Sequence, residues 1–299
     1  PVVTELERRF NCHHIYQADA PLALLEEIGK RIRGAASHGM AGLSAEQIER
    51  MPNLEICVIN GVGLETTDQA LCRERNITVA PTPVLHEDVA DIAIARALAA
   101  WRRSVDADRF VRAGRWRKGR YPLARKLTGM KSGLLGLGRI GVEVANRLQA
   151  FKCDLGYVDP IDREIAYRRY ADAVEMAEDC DILFMCAAGA AKGKAPPIVT
   201  REILEALGPR GVFVNVARGW LVDEPAMIEL LAAGKLGAAG LDVFEDEPQV
   251  PEPLLALENV VLTPHIASNT EETMGAMGEL LIANLVSWFE GKGALSPVP

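Results

Sequence analysis

Hydrophobic and polar positions along this chain fall into two recurring patterns. One is a short apolar run of four to seven residues. The other is a longer stretch with apolar positions three and four apart. The short runs predict strands at Cys12–Tyr16, Ile32–Ser37, Leu54–Asn60 and Ile77–Ala80. Helices are expected between them at Pro21–Gly29, Ser44–Met51 and Thr67–Arg75, with Ser44 and Gln47 at capping-box spacing. Thr4 and Glu7 share that spacing, so the chain opens on a helix where an alternating layout would put a strand. Either a short segment is missing ahead of Pro1 or the amino terminus is unusual.

Pro81-Thr82-Pro83 breaks the alternation, and a long helix is expected over Asp88–Ala113. A second series then opens. Its strands are Lys131–Leu135, Asp154–Val158, Asp181–Cys186, Val212–Val216, Ala238–Phe244 and Val260–Leu262, with loops at Gly193–Pro197 and Glu247–Pro253. Strands alternating with helices imply parallel sheets covered on both faces. A last helix, Glu271–Glu290, follows the completed second sheet and is expected to return to the first domain, which is then discontinuous in sequence.

Composition narrows this picture. With 299 residues, 49% of them hydrophobic, the chain can bury two cores. A net charge of −8 argues against a nucleic-acid surface. The basic stretch Arg112–Arg120 reads as a solvated or subunit-contacting arm. The six cysteines form no CxxC pair and no zinc-like spacing, so no metal site is expected and the thiols read as reduced. No signal peptide and no apolar run near the ~18 residues of a membrane span is seen. A soluble, cytoplasmic protein is the expectation.

Gly136, Gly138 and Gly141 form a GxGxxG motif. Such triplets arise by chance, but here an apolar strand runs in and a helix, Val142–Phe151, runs out. The glycines permit a tight turn and close backbone approach to a pyrophosphate, which then sits on unpaired amides at the helix start. Asp159 ends the next strand. A carboxylate there accepts bonds from both ribose hydroxyls and repels a 2′-phosphate, which favours NAD (NADH) and leaves NADP (NADPH) possible because Arg163 lies close by.

Three polar residues follow strand ends of the second series: Arg218, Glu247 and His265. Reducing a 2-oxo acid needs a cation for the carboxylate and carbonyl oxygens, a hydride donor, and a proton donor. Arginine offers the fork, histidine exchanges protons near neutral pH, and a neighbouring carboxylate orients its ring and favours its charged form.

Taken with the glycine turn and Asp159, the segments Asn215–Gly219, Leu221–Glu224, Gly240–Pro248 and Thr263–Ser268 resemble the D-isomer-specific 2-hydroxyacid dehydrogenase family over nearly the whole chain. The resemblance implies an α/β protein: a Rossmann-type dinucleotide-binding domain over 82–270 and a discontinuous flavodoxin-like substrate domain over 1–81 and 271–299. It assigns substrate binding to Arg218, support of the histidine to Glu247 and proton transfer to His265. It places Arg139 and Ile140 along the pyrophosphate and Asp242 on the nicotinamide carboxamide, with Val216, Ala217 and Ser268 also at the cofactor. The family's substrate loop corresponds to Asn60–Gly63, where the Val62 and Gly63 amides can form an anion nest. Leu64-Glu65 and Thr67 depart from the family pattern there, which bears on substrate preference. The family tends to homodimers through the long helix and the basic arm, from which Trp116 and Tyr121 could reach a partner's pocket.

The expected reaction is reduction of a small 2-oxo acid, glyoxylate or hydroxypyruvate first, docked between the domains on Arg218 and the Val62–Gly63 amides. Two rivals stay open. One is a phosphoglycerate dehydrogenase, though Asn60–Thr67 has no basic residue for a phosphate. The other is an NAD-sensing corepressor-like binding protein. Formate-type relatives have Gln where Glu247 stands.

Overall fold

The apolar runs pair as parallel strands in two separate sheets. The computed structural model describes residues 2–298. Pro1, and with it the reading of a missing leading segment, lies outside the described residues. Contacts divide the chain into two compact units, Pro1–Leu85 with Asn269–Pro299, and His86–Ser268.

In the first unit, β1 (Gly34–His38), β2 (Ile56–Asn60) and β3 (Thr78–Pro81) stand side by side in that order. β2 is apolar without alternation because both its faces are covered. Cys57 and Ile59 pack with Leu25, Ile48 and Val79, whereas Ile56 and Val58 pack with Ala80, Leu281 and Leu285. The last two come from the helix Glu271–Phe289, which Thr270 caps through the Thr273 amide at 3.1 Å.

Three local expectations are corrected in this unit. Cys12–Tyr16 is not a strand; it is irregular and ends in a 3-10 turn, Ile15–Gln17. Two histidines in five positions leave little to bury, Tyr16 stays exposed, and His14 bonds Glu7 at 2.9 Å. Thr4 is no cap, because the helix Val2–Arg9 begins ahead of it. Asp68, not a residue at or before Thr67, caps the helix Gln69–Glu74, accepting from Leu71 N at 2.9 Å. The capping box of Ser44 and Gln47 forms as expected.

The second unit carries β4 (Lys131–Leu135), β5 (Asp154–Val158), β6 (Arg168–Arg169), β7 (Ile182–Met185), β8 (Val212–Asn215), β9 (Ala238–Leu241) and β10 (Val260–Leu262). The sheet is parallel, in the order β10-β9-β8-β7-β4-β5-β6. Counted from β4, this is the doubly wound dinucleotide-binding order with one strand added, and its switch point lies between β4 and β7. β6 is two arginines long and so leaves no apolar signature. The expected long helix is two, His86–Arg102 and Ser104–Arg112, separated by Arg103 at φ +52°. The carboxyl ends of the strands release the chain into Gly136, Asp159, Val216, Asp242 and Thr263 along one edge.

Candidate active site

At the switch point, Gly136 leaves β4 with φ +91°, and a Cβ on it would lie 2.6 Å from the Ala187 backbone. A Cβ on Gly141 would lie 2.2 Å from the Gly136 carbonyl oxygen. Only glycine at both places lets the helix Arg139–Ala150 start this close to the strand. Above Gly138 a Cβ would meet open space, and no side chain caps this helix among the described residues. The amides of Arg139 and Ile140 open the helix, ahead of its first internal bond from Val142 N to Gly138 O at 2.9 Å.

Asp159 is almost enclosed. Its Oδ2 accepts from Leu137 N and its Oδ1 from Ile161 N, both at 2.8 Å, and Arg163 stands 3.4 Å away. Burial pushes the carboxyl up, but the two amides and the guanidinium outweigh it and hold it below the usual range. An open glycine cradle, unpaired amides and a fixed carboxylate at the next strand end fit a dinucleotide.

The second cluster lies beyond β8, β9 and β10. His265 Nδ1 meets Glu247 Oε2 at 2.7 Å, and Glu247 Oε1 accepts from Phe244 N at 3.0 Å. With Nδ1 pinned, Nε2 is the ring atom left to exchange a proton. Burial raises the Glu247 carboxyl, but the bond and charge of His265, the Phe244 amide and the charge of Arg218 bring it below its ordinary value. Arg218 donates from Nη1 to Ala217 O at 2.7 Å. Its turn is tied by Asn215, whose Nδ2 donates to Arg218 O at 2.9 Å and whose Oδ1 accepts from Ala217 N at 3.0 Å. The structure thus gathers Arg218, Glu247 and His265 in one place on the second unit.

His265 has φ +50°, a conformation that costs a residue of its bulk roughly 1–3 kcal/mol. Asp242 offsets this. Its fully buried carboxylate accepts from Thr263 Oγ1 at 2.6 Å, Ile266 N at 3.0 Å and Ala267 N at 2.9 Å, gripping the turn on both sides of the histidine. The family resemblance put Asp242 on the carboxamide; in this structure its oxygens are engaged by its own chain. Val216 is buried after β8, and Ala217 and Ser268 are half-buried. Asn215, which ties the Arg218 turn, is a support that sequence reasoning missed; its signal was a lone polar residue closing an otherwise apolar strand.

In the first unit, the loop after β2 is anchored by Thr82, whose Oγ1 accepts from Gly61 N at 2.7 Å and whose own N–H donates to Gly61 O at 2.8 Å. Gly61 has φ +117°. The next two amides, Val62 and Gly63, donate to no acceptor among the described residues, as an anion nest requires.

Residues 94–267 match the model of the D-isomer specific 2-hydroxyacid dehydrogenase, NAD binding domain. The chain is 44% identical to glyoxylate/hydroxypyruvate reductase A of Arabidopsis thaliana over 98% of its own length and 94% of that protein's. It is 44% identical to the solved 2-hydroxyacid dehydrogenase of Ketogulonicigenium vulgare, with a TM-score of 0.93, covering 100% of this chain and 94% of that one. The NADPH-dependent glyoxylate/hydroxypyruvate reductase of Sinorhizobium meliloti, solved with NADP and malonate, is 38% identical with a TM-score of 0.88, covering 99% of this chain and 92% of that one.

Proposed function

This chain belongs to the D-isomer specific 2-hydroxyacid dehydrogenase family, in its glyoxylate reductase branch, and we propose that His265 is the proton donor with which it reduces glyoxylate- or hydroxypyruvate-sized substrates. The reaction class is reduction of a 2-oxo acid to the 2-hydroxy acid with a nicotinamide dinucleotide. The observation that carries the assignment is the 2.7 Å contact between His265 and Glu247 in the cluster that also holds Arg218.

Reduced nicotinamide supplies a hydride when bound. The Gly136–Gly141 turn holds its pyrophosphate, and Asp159 takes the ribose hydroxyls. NADH is the preferred form, because an ionised, fixed Asp159 carboxylate opposes a 2′-phosphate; Arg163 beside it moderates that preference. Arg218 binds the carboxylate and carbonyl oxygens of the substrate and sets its C2. His265 gives a proton to the oxygen as the hydroxyl forms, and Glu247 stabilises the charged ring that precedes this step. The Val62 and Gly63 amides of the first unit offer an anion nest of their own.

We also propose a homodimer. Trp116 in the arm is 68% exposed and Leu123, three residues past its end, is 99% exposed, apolar surface that a second copy would cover. Tyr121 is held by its own chain, donating to Asp106 at 2.6 Å. No helix of the described residues is long and apolar enough to cross a membrane, and all six cysteines are unpaired, which suits a reducing cytoplasm.

The test is a panel of 2-oxo acids, each assayed with NADH and NADPH, on the parent and on His265→Ala. Glyoxylate and hydroxypyruvate should turn over fastest, NADH should serve better than NADPH, and the variant should lose about 10³-fold in kcat while NADH still quenches protein fluorescence at parent concentrations. A variant that keeps its turnover removes His265 from the mechanism.

A further inference from the structure

Glu224 is a buried carboxyl that no step above uses, 5% exposed, at the start of the helix Glu224–Ala232. The cap of that helix is Asp223, which accepts from Ala226 N at 3.0 Å, so Glu224 is not needed there. Its Oε2 instead accepts from Glu245 N at 3.1 Å. Burying a carboxyl for one backbone bond is costly unless that bond fixes something.

The Phe244–Glu245 peptide is what it fixes, and two catalytic elements meet on that peptide and the one just before it. On one side, Gly219 packs so closely that a Cβ would lie 1.8 Å from the Phe244 carbonyl carbon and 2.3 Å from Glu245 N. Gly219 follows Arg218 directly, so the arginine's turn rests on this peptide. On the other side, Phe244 N donates to Glu247 Oε1, the oxygen partner of the one on His265. Lys192 adds a third grip, donating to Glu245 O at 2.8 Å and pairing with Asp246.

We propose that Glu224 is a positioning residue for catalysis: by holding the Glu245 amide it keeps the Phe244–Glu247 loop in the register that brings Glu247 onto His265 beside Arg218. This rests on the roles given above to Glu247 and His265. The charged groups facing Glu224 are Lys192 from the loop before Pro196 and Glu245 and Asp246 of the gripped loop. Those facing Glu247 are His265 and Arg218. Burial pushes the Glu224 carboxyl up, so a neutral acceptor suits the place. Glutamine should therefore replace it, whereas aspartate, one methylene shorter, should not reach.

The experiment compares Glu224→Gln, Glu224→Asp and Glu224→Ala with Glu247→Gln, reading kcat/KM for a 2-oxo acid against pH, with NADH binding as the check of folding. A ring deprived of Glu247 gives up its proton more readily, so activity in the reducing direction must fail at lower pH. Glu224→Asp and Glu224→Ala should lose roughly 10-fold in kcat, keep parent NADH affinity, and move the alkaline limb down as Glu247→Gln does. Glu224→Gln should keep the parent limb. Parent profiles in Glu224→Asp and Glu224→Ala, or a Glu224→Gln profile shifted as far as theirs, would overturn the inference. Should Glu224→Ala fail to bind NADH, the Asp and Gln pair decides alone. A Glu247→Gln profile that matches the parent condemns the underlying reading of the site instead.

Discussion

The two turns that carry chemistry in the second unit are held by opposite means. Gly136–Gly141 after β4 is shaped by atoms it lacks, since a Cβ at either end would strike backbone at 2.6 or 2.2 Å. Thr263–Ser268 after β10 is shaped by a side chain brought from elsewhere, the Asp242 carboxylate with its three acceptor contacts. One turn presents exposed amides and tolerates no added atom at its two end glycines, Gly136 and Gly141. The other presents a strained histidine and tolerates no lost one. A site that binds by backbone is therefore broken by enlargement, and a site that reacts by side chain is broken by deletion.

The deletion arm predicts the larger effect. Asp242→Ala takes the acceptor from the Ile266 and Ala267 amides and the Thr263 hydroxyl, at roughly 1–3 kcal/mol for the buried Ala267 donor and less for the two half-buried ones. It also frees His265 from φ +50°. Displacing a reacting group by about 1 Å costs on the order of 10²-fold, so kcat at saturating NADH should fall by about that factor and the melting temperature should drop. A lowered melting temperature with parent kcat would mean that the turn holds its shape without Asp242.

The enlargement arm comes next. In Gly141→Ala the new methyl must push the helix start from the strand, a misfit of roughly 1–3 kcal/mol. NADH titrated by fluorescence should bind about 10–100-fold more weakly, while kcat at saturation changes little. A loss in kcat with unchanged affinity would reverse the assignment of the two turns.

This contrast also explains what could be read from the chain alone. Gly136, Gly138, Gly141 and Asp159 were legible because a backbone site leaves its requirements in adjacent positions, at a spacing set by one strand, one turn and one helix. Arg218, Glu247 and His265 were legible as polar residues after apolar strands. Their supports were not. Asn215 lay inside a predicted strand, and Glu224 stood only in a segment that resembles the family. Asp242 carried a role borrowed from relatives, whereas its contacts follow from β9 lying beside β10. Sheet order, which decides such neighbours, is not written in local spacing. The failed strand at Cys12–Tyr16 has the same origin, since apolar character predicts burial only where a partner strand exists to receive it.

The smallest effect concerns pH, and its sign follows from the two carboxylates, one in each cluster. Asp159 and Glu247 both titrate below their ordinary values in the folded chain. A depressed carboxyl contributes stability that is complete above its unfolded pKa, about 4, and is lost only as pH falls through the lower folded value. Between pH 8 and 5 both groups stay ionised in the folded and the unfolded chain, so neither makes stability depend on pH there. NADH affinity should then change less than about twofold over that range. Below about pH 4 the two clusters should part, because their carboxylates are held differently. Asp159 leans on two backbone amides and Arg163, whereas Glu247 leans first on His265, so removing the ring strips its main stabilising partner. In His265→Ala, therefore, Glu247 should take up its proton at higher pH than in the parent. The acid end of a melting-temperature profile should shift upward in pH, while NADH binding keeps its acid limit. A shift of both together would mean that the two clusters titrate as one.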